Sequence, residues 1–93
     1  MIKTFADKET EKLFKRVFSK KLPNNIQSLA RRKLLMIDAA TAIDDLRSPP
    51  GNRLEKLSGN RAGQHSIRIN NQWRICFVWK SGHAYQVEVT DYH

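Results

Sequence analysis

The chain ends in three side chains that can move or orient protons, Asp91, Tyr92 and His93. They directly follow the alternating apolar run Tyr85–Val89, which is typical of a β-strand. Unpaired chain ends usually fray, but a strand paired into a sheet would hold these residues in place. Because imidazole titrates near neutral pH, His93 is a candidate general acid or base. Tyr92 is then a candidate hydrogen-bonding or base-stacking group, and Asp91 a candidate to orient His93.

Two arginines on neighbouring predicted strands form a candidate anion site. If Asn70–Gln72 is a three-residue hairpin loop, Arg68 lies directly across from Arg74. Like charges in that position destabilise a sheet, so folding alone gives no reason for the pair. A bound phosphate does give one, because two guanidinium groups can grip it and stabilise charge that develops on it. The alternative is two solvated arginines that splay apart, and a two-residue loop would remove the pairing.

An arginine pair beside the terminal residues suits one class of reaction. The strand that precedes Asp91 belongs to the same predicted sheet as Arg68 and Arg74, so we expect these groups on one side of it. In RNA the ribose 2′-hydroxyl can attack the adjacent phosphate, and the protein then needs only a base, an acid and charge stabilisation. The sequence therefore predicts cleavage of RNA phosphodiester bonds without a metal ion or another cofactor.

Further polar residues are weaker candidates for the same site. Glu55 is a possible second acid or base, and Arg53 and Lys56 are possible phosphate contacts, because a loop after the Pro-Pro break could reach the open side of the sheet. The alternative for each is an ordinary surface charge. His65 is predicted on the other face of its strand, in a structural role, and His83 in a solvated hairpin turn.

The first half of the chain has helical periodicity. Apolar residues spaced along one stripe of Thr4–Phe18 predict a first helix, with Asp7 as its N-cap. After a break at Pro23, a second and longer helix is predicted to run to about Leu46, capped by Asn24 or Asn25. The short connection makes the two helices antiparallel neighbours.

The second half reads as strands. Three strands joined by short hairpin loops are predicted at Gln64–Ile69, Trp73–Lys80 and Ala84–Thr90. In the middle strand, alternation puts four apolar residues on one face, predicted to pack on the helices rather than serve as a platform for stacking on bases: Trp73, Ile75, Phe77 and Trp79. Residues 1–93 are therefore predicted to form a single α+β domain, two antiparallel N-terminal helices packed on a small, mainly antiparallel sheet. Met1–Phe5 could add an edge strand.

Composition narrows the class of partner. The 93 residues carry a formal net charge of +8, and the isoelectric point is about 10.1. Such an excess predicts a polyanionic or strongly acidic partner, whereas nothing in the sequence predicts a membrane span or lipid anchor. Cys76 is the only cysteine, so no internal disulfide can form, and it is predicted to be a small buried hydrophobe. Without a secretory signal, a cytoplasmic location is expected.

Three segments resemble one known family: Gly51–Leu57, Ser66–Trp79 and Val87–His93. They are similar to HigB-type toxins of the RelE-like (RelE/ParE) superfamily of bacterial toxin–antitoxin systems. The resemblance covers nearly the whole chain. It implies a ribosome-dependent endoribonuclease that cuts mRNA in the decoding site of the 70S ribosome. It also implies a HigA-type helix-turn-helix antitoxin as partner, through which alone the toxin would reach operator DNA.

Carried over by position, the resemblance implies catalytic or phosphate-binding roles for five residues, Arg68, Arg74, Asp91, Tyr92 and His93. One departure is Glu55, because relatives can carry a histidine in the segment after the Pro-Gly turn. A non-catalytic protein of the same fold is the alternative, either a DNA gyrase inhibitor or a basic RNA-binding protein that does not cleave.

Overall fold

The computed structural model describes residues 1–91, so Tyr92 and His93 lie outside the described residues. Two α-helices precede an antiparallel sheet of four strands in the order β1-β2-β3-β4. The elements are α1 (Lys8–Phe14), α2 (Asn24–Ala39), β1 (Glu55–Lys56), β2 (Gln64–Arg68), β3 (Trp73–Lys80) and β4 (His83–Asp91), with short 3-10 turns between α2 and β2. The predicted α+β class is confirmed.

Helix α1 starts as the sequence predicts and ends earlier. The Asp7 carboxylate accepts the N–H of Thr10 at 2.7 Å, which satisfies one of the donors that a helix start leaves open. The helix stops at Phe14 because the chain turns back: the N–H of Val17 bonds to the carbonyl of Lys12 at 2.7 Å. This turn holds Arg16 at a φ of 64°, a left-handed conformation that glycine usually supplies.

Helix α2 differs from the prediction at both ends. No side chain caps its start, so the expected cap by Asn24 or Asn25 was wrong. Pro23 occupies the cap position, with a φ of −55° and a ψ of 135°. The helix ends at Ala39 rather than near Leu46. The reason is Asp45, whose carboxylate accepts the N–H groups of Thr41 and Ala42 and so offers the backbone an alternative to helical bonding. These bonds also hold the pKa of Asp45 below its ordinary value.

The three long strands fall within one residue of their predicted bounds at each end. Register in the β2–β3 hairpin places Arg68 directly across from Arg74, as a three-residue loop requires. The β3–β4 connection is shorter than predicted: Ser81 and Gly82 both have positive φ, which a two-residue hairpin turn demands, and His83 already belongs to β4. Strand β1 was not predicted and adds a short edge beside β2.

The hydrophobic core lies between the helices and one face of the sheet. Ile75 and Phe77 are fully buried in it, and Trp73 and Trp79 pack against it, so the prediction that this face of β3 is core is confirmed. Cys76, on the other face, is also buried, as predicted, and its burial raises the pKa of its thiol.

The first residues lie along the free edge of β4. Isolated parallel bridges join Ile2 to Ala84 and Phe5 to Val87. The N–H of Ile2 also donates to the Asp38 carboxylate at 2.8 Å, which ties this segment to α2. The predicted edge strand is thus present as two bridges rather than as a continuous strand.

Candidate active site

The sheet face opposite the helices carries aligned rows of polar side chains. One row crosses β2, β3 and β4 at Arg68, Arg74 and Thr90. The next row runs through all four strands, because each member is the register partner of its neighbour: Glu55, Ser66, Cys76 and Glu88. Side chains of paired residues share one face of a sheet, so these seven residues form a common surface, called here the arginine face.

Arg74 is held in a fixed orientation at the centre of the arginine face. Its Nε donates to the hydroxyl of Ser66 at 2.8 Å, and its Nη2 donates to the carbonyl of Arg53 at 2.7 Å. Only 8% of Arg74 is exposed, and Ser66 is fully buried. A buried guanidinium bonded on two sides cannot swing freely, so its charge is oriented before any ligand arrives.

The backbone carbonyl of Arg53, which accepts from Arg74, is positioned by a turn whose Asn52 side chain is buried. Arg53 adopts a left-handed conformation with a φ of 45°, just after the 3-10 turn Pro50–Asn52. The Asn52 side chain is fully buried, and its Nδ2 donates to the carbonyl oxygens of Leu46 and Ser48. Lys33 of α2 in turn donates its ammonium to Asn52 Oδ1. Arg53 thus contributes a backbone oxygen to the site, beside its predicted role as a phosphate contact.

Lys33 is an unusual partner for a buried amide because it carries a charge. It is itself buried, and this burial, together with the charge of Arg32, lowers its pKa. No pattern in the sequence predicts Ser66, Asn52 or Lys33 as supports of Arg74. Each is an ordinary polar residue whose partner lies on a different element of the fold.

Arg68 lies beside Arg74 in the register and remains partly exposed. Its guanidinium donates to the Asn71 side chain in the hairpin loop rather than turning away into solvent. The backbone register thus puts the two residues on one face, while the Arg68 guanidinium bonds toward the loop and that of Arg74 bonds toward Ser66 in the next row. The predicted register of the pair is confirmed, and its role in binding a phosphate stays a prediction.

The structure separates the two weaker candidates Glu55 and Lys56. Glu55 lies on the arginine face, with its carboxylate 3.9 Å from Arg74 Nη2 and more than half exposed. Lys56 pairs with His65, so strand alternation puts it on the opposite face, and the structure does not bring it to the arginine pair. The reason is the two-residue strand β1, in a segment that the sequence pattern predicts to be a loop.

Asp91 also falls on the other side of its strand from the arginine pair. It pairs with Trp73 and not with Arg74, and its carboxylate accepts from Gln72 Nε2 at 2.9 Å. The expectation that Asp91 shares a face with the arginines is therefore wrong for its position in the sheet, although the strand does end beside them. Tyr92 and His93 lie outside the described residues, so their predicted roles stay predictions.

The other two histidines lie away from the arginine face. His65 stacks on Phe77 with ring centroids 6.3 Å apart, and burial, followed by the charges of Lys56 and Arg47, lowers its pKa. Its predicted place on the opposite face from Arg68 is confirmed. His83 is partly buried at the start of β4 rather than solvated in a turn, because the turn is only two residues long.

A second polar cluster on the same face was not predicted. Arg61 Nη1 donates to Gln64 at 3.1 Å and to the Glu88 carboxylate at 3.2 Å. Because Glu88 is in register with Cys76, this ion pair borders the buried thiol. Its distance in sequence, 27 residues between Arg61 and Glu88, explains why no local pattern revealed it.

Within residues 1–91, no three His, Cys, Asp or Glu side chains gather in a way that could hold a metal ion. In the same part of the chain, neither helix combines the length and the apolar character that crossing a bilayer requires.

The fold is similar to that of solved chains. A chain of the YoeB–YefM toxin–antitoxin complex from Staphylococcus aureus superposes with a TM-score of 0.61 at 21% identity, over 100% of this chain and 98% of that one. This is a fold found in toxin–antitoxin complexes. The family model described as a RelE-like toxin of the type II toxin–antitoxin system HigB matches residues 3–93. The chain belongs to this HigB family of RelE-like type II toxins.

Curated relatives agree with the family. Toxin HigB-1 of Vibrio cholerae is 51% identical over 63 residues, which is 68% of this chain and 66% of that protein. Endoribonuclease HigB of Proteus vulgaris is 34% identical over 93 residues, the full length of both chains. The match thus spans about two thirds of the Vibrio protein and all of the Proteus protein.

Proposed function

We propose that this toxin is an endoribonuclease that cleaves mRNA on the 70S ribosome and so stops translation and growth. The observation that carries the proposal is the fixed Arg74 guanidinium with Arg68 directly across from it. Two adjacent cations on one face have no value for folding and suit a phosphate. A relative of the same length is named an endoribonuclease, which supports the same chemistry.

In the proposed reaction the substrate supplies its own nucleophile. The ribose 2′-oxygen attacks the adjacent phosphorus while a base removes its proton, and the bond from phosphorus to the 5′-oxygen breaks as an acid protonates that oxygen. The products are a 2′,3′-cyclic phosphate and a 5′-hydroxyl, so no water, metal ion or redox partner is consumed. Negative charge that gathers on the phosphate would be stabilised by Arg68 and Arg74.

His93 is the proposed acid, because its imidazole can carry a proton near neutral pH. Tyr92 would contact the substrate, and Asp91 would orient the end of β4 through its bond to Gln72. Glu55 is the proposed base. Its carboxylate lies on the arginine face, 3.9 Å from Arg74 Nη2, where it would accept a proton from a ribose bound on that face.

The proposed partners follow from charge and family. A net charge of +8 favours contact with ribosomal RNA and mRNA phosphates. Solved structures of the same fold are toxin–antitoxin complexes, which supports an antitoxin partner. We expect a HigA-type helix-turn-helix antitoxin that carries the toxin to operator DNA, and action in the cytoplasm.

The decisive experiment is to map RNA 5′ ends after brief induction of the wild type and of His93→Ala. Discrete new ends within translated codons, absent from the variant, are the expected result. Matched variants are Glu55→Gln, expected to slow cleavage, and Glu11→Gln, an exposed helix carboxylate expected to have no effect. Growth arrest with supercoiling defects and no cuts would instead identify a gyrase inhibitor.

A further inference from the structure

Two large apolar side chains on the helix side of the molecule are exposed at the surface. Phe18 is 60% exposed and Val17 is 49% exposed, in a domain whose other large apolar residues are mostly buried. Together with Leu13 they line a groove of about 260 Å³ between α1 and α2. Val17 also borders a second groove of about 220 Å³ beside Lys8 and Lys12.

Hydrogen bonds on both sides hold this segment in position. Before it, the turn that ends α1 fixes the N–H of Val17 on the carbonyl of Lys12. After it, Ser19 is fully buried: its N–H donates to Gln27 Oε1 at 3.1 Å, and its carbonyl accepts from Gln27 Nε2 at 2.7 Å. The Ser19 hydroxyl also donates to Glu9 at 2.6 Å. Phe18 therefore lies in a segment that hydrogen bonds hold in place on both sides.

The rim of the groove is cationic. Arg16 and Arg31 both line it, and within residues 1–91 neither forms an ion pair. By contrast, Lys12 of α1 and Lys15 just after it are paired with Glu9 and Glu11. Arg16 also occupies a left-handed position with a φ of 64°, where glycine would fold more easily. Folding gives no reason for a cation there, but an acidic ligand does.

We propose that the groove formed by Leu13, Arg16, Val17, Phe18 and Arg31 is the docking site for an acidic segment of the antitoxin that carries large apolar anchor residues. The volume suits one or two buried side chains rather than a small-molecule ligand, whose pockets are usually larger. A second copy of this chain is disfavoured because it would bring the same positive charges together. RNA is disfavoured because its phosphates could use the two arginines but would leave the apolar side chains of Leu13 and Val17 against polar ribose and phosphate groups.

The inference rests on the toxin's having an antitoxin, but not on its cleaving RNA. The arginine face lies on the opposite side of the sheet from the helices, so variants in the groove leave the proposed catalytic groups untouched. Antitoxin binding and RNA cleavage can therefore be measured separately, and failure of one leaves the other standing.

The test is titration of the purified antitoxin, expressed from the gene adjacent to the toxin gene, against the wild type and Val17→Ser/Phe18→Ser. The dissociation constant should rise at least tenfold, with cleavage of ribosome-bound mRNA within twofold of wild type. Leu35→Ser is the matched control, because this residue is 40% exposed and lines neither groove. An unchanged dissociation constant for the double variant would overturn the proposal, as would an equal loss in Leu35→Ser.

Arg16→Gly separates binding from folding in a second way. It removes the charge and relieves the left-handed strain, so the melting temperature should rise while the dissociation constant for the antitoxin increases severalfold and depends less on salt. Unchanged affinity and salt dependence would contradict the acidic partner. Loss of ribosome-dependent cleavage with normal antitoxin binding would assign the groove to the ribosome, and a wild-type dimer that Val17→Ser/Phe18→Ser dissociates would assign it to a second copy.

Discussion

Arg74 donates its Nε proton to the hydroxyl of Ser66 at 2.8 Å, and both residues are buried on the same face of the sheet. Ser66 is not in the same row as Arg74, so the guanidinium is drawn along the strand toward the row of Glu55. This bond and the carbonyl of Arg53 set the direction of the charge that the proposed reaction requires.

Ser66→Ala should therefore impair both stability and cleavage. The buried Arg74 Nε would lose its acceptor, which costs about 1–3 kcal/mol of unfolding free energy. The loss of this bond should also lower the cleavage rate by roughly tenfold, because a less firmly oriented charge stabilises a transition state less. Urea unfolding and single-turnover cleavage on ribosome-bound mRNA measure the two effects. Ser58→Ala, in an exposed turn, is the control and should change neither.

Arg74→Lys tests whether the site needs the planar, multiple-donor geometry of a guanidinium or only a positive charge. Lysine keeps the charge but cannot bond to Ser66 and the Arg53 carbonyl with the geometry of a guanidinium. We expect both Arg74→Lys and Arg74→Ala to lower the cleavage rate by about 10²-fold, in the range seen when one donor to a developing anion is removed. Lys80→Ala, at the exposed end of β3, should stay within twofold of wild type. Equal losses at Arg74 and Lys80 would favour diffuse electrostatic attraction.

Asn52→Ala tests the support beneath Arg53. The change leaves the buried ammonium of Lys33 without its acceptor and the carbonyls of Leu46 and Ser48 without a donor. A loss of about 3 kcal/mol in unfolding free energy is expected, since buried polar groups are costly when unpaired. Adding Lys33→Met should recover part of this loss, because the stranded charge is then gone. Strict additivity of the two changes would argue against their coupling.

His65 should make the fold sensitive to mild acid. Its pKa in the folded state is lowered by burial and by nearby cations, so the unfolded chain binds more protons below about pH 6.5. The contribution of His65 to the unfolding free energy is fully present above that pH. It is lost as the pH falls from there through the folded pKa, with a slope of at most about 1.4 kcal/mol per pH unit. His65→Phe keeps the packing on Phe77 and should flatten this dependence. Urea unfolding at pH 5, 6 and 7 measures it, and an unchanged slope would contradict the assignment.

The arginine pair could be predicted because its geometry is local. A loop of known length between two alternating strands fixes which residues face each other, so the register of Arg68 and Arg74 follows from the sequence alone. The end of α2 could not be predicted in this way. An apolar stripe continues past Ala39, but the helix stops where the Asp45 carboxylate accepts the backbone N–H groups of Thr41 and Ala42.

The residues that hold Arg74 and Arg53 in position could not be predicted from the sequence, for a different reason. Arg74 receives its second acceptor from Arg53, 21 residues away, and Asn52 receives its donor from Lys33, 19 residues away. Such pairs leave no periodicity in the sequence, because they depend on how separate elements pack. Lys56 and Asp91 were misplaced for a related reason: a shift of one residue along a strand moves a side chain to the other face.

The bridges from Ile2 to Ala84 and from Phe5 to Val87 have a consequence for the order of folding. They join residues 82 positions apart, as does the bond from Gln86 to Thr4 Oγ1, so the chain must close a loop nearly as long as itself to form them. The β2–β3 hairpin closes over a few residues and should form first. We therefore expect the arginine pair to be assembled early and the β4 edge to close last, as the slow step in maturation of the toxin.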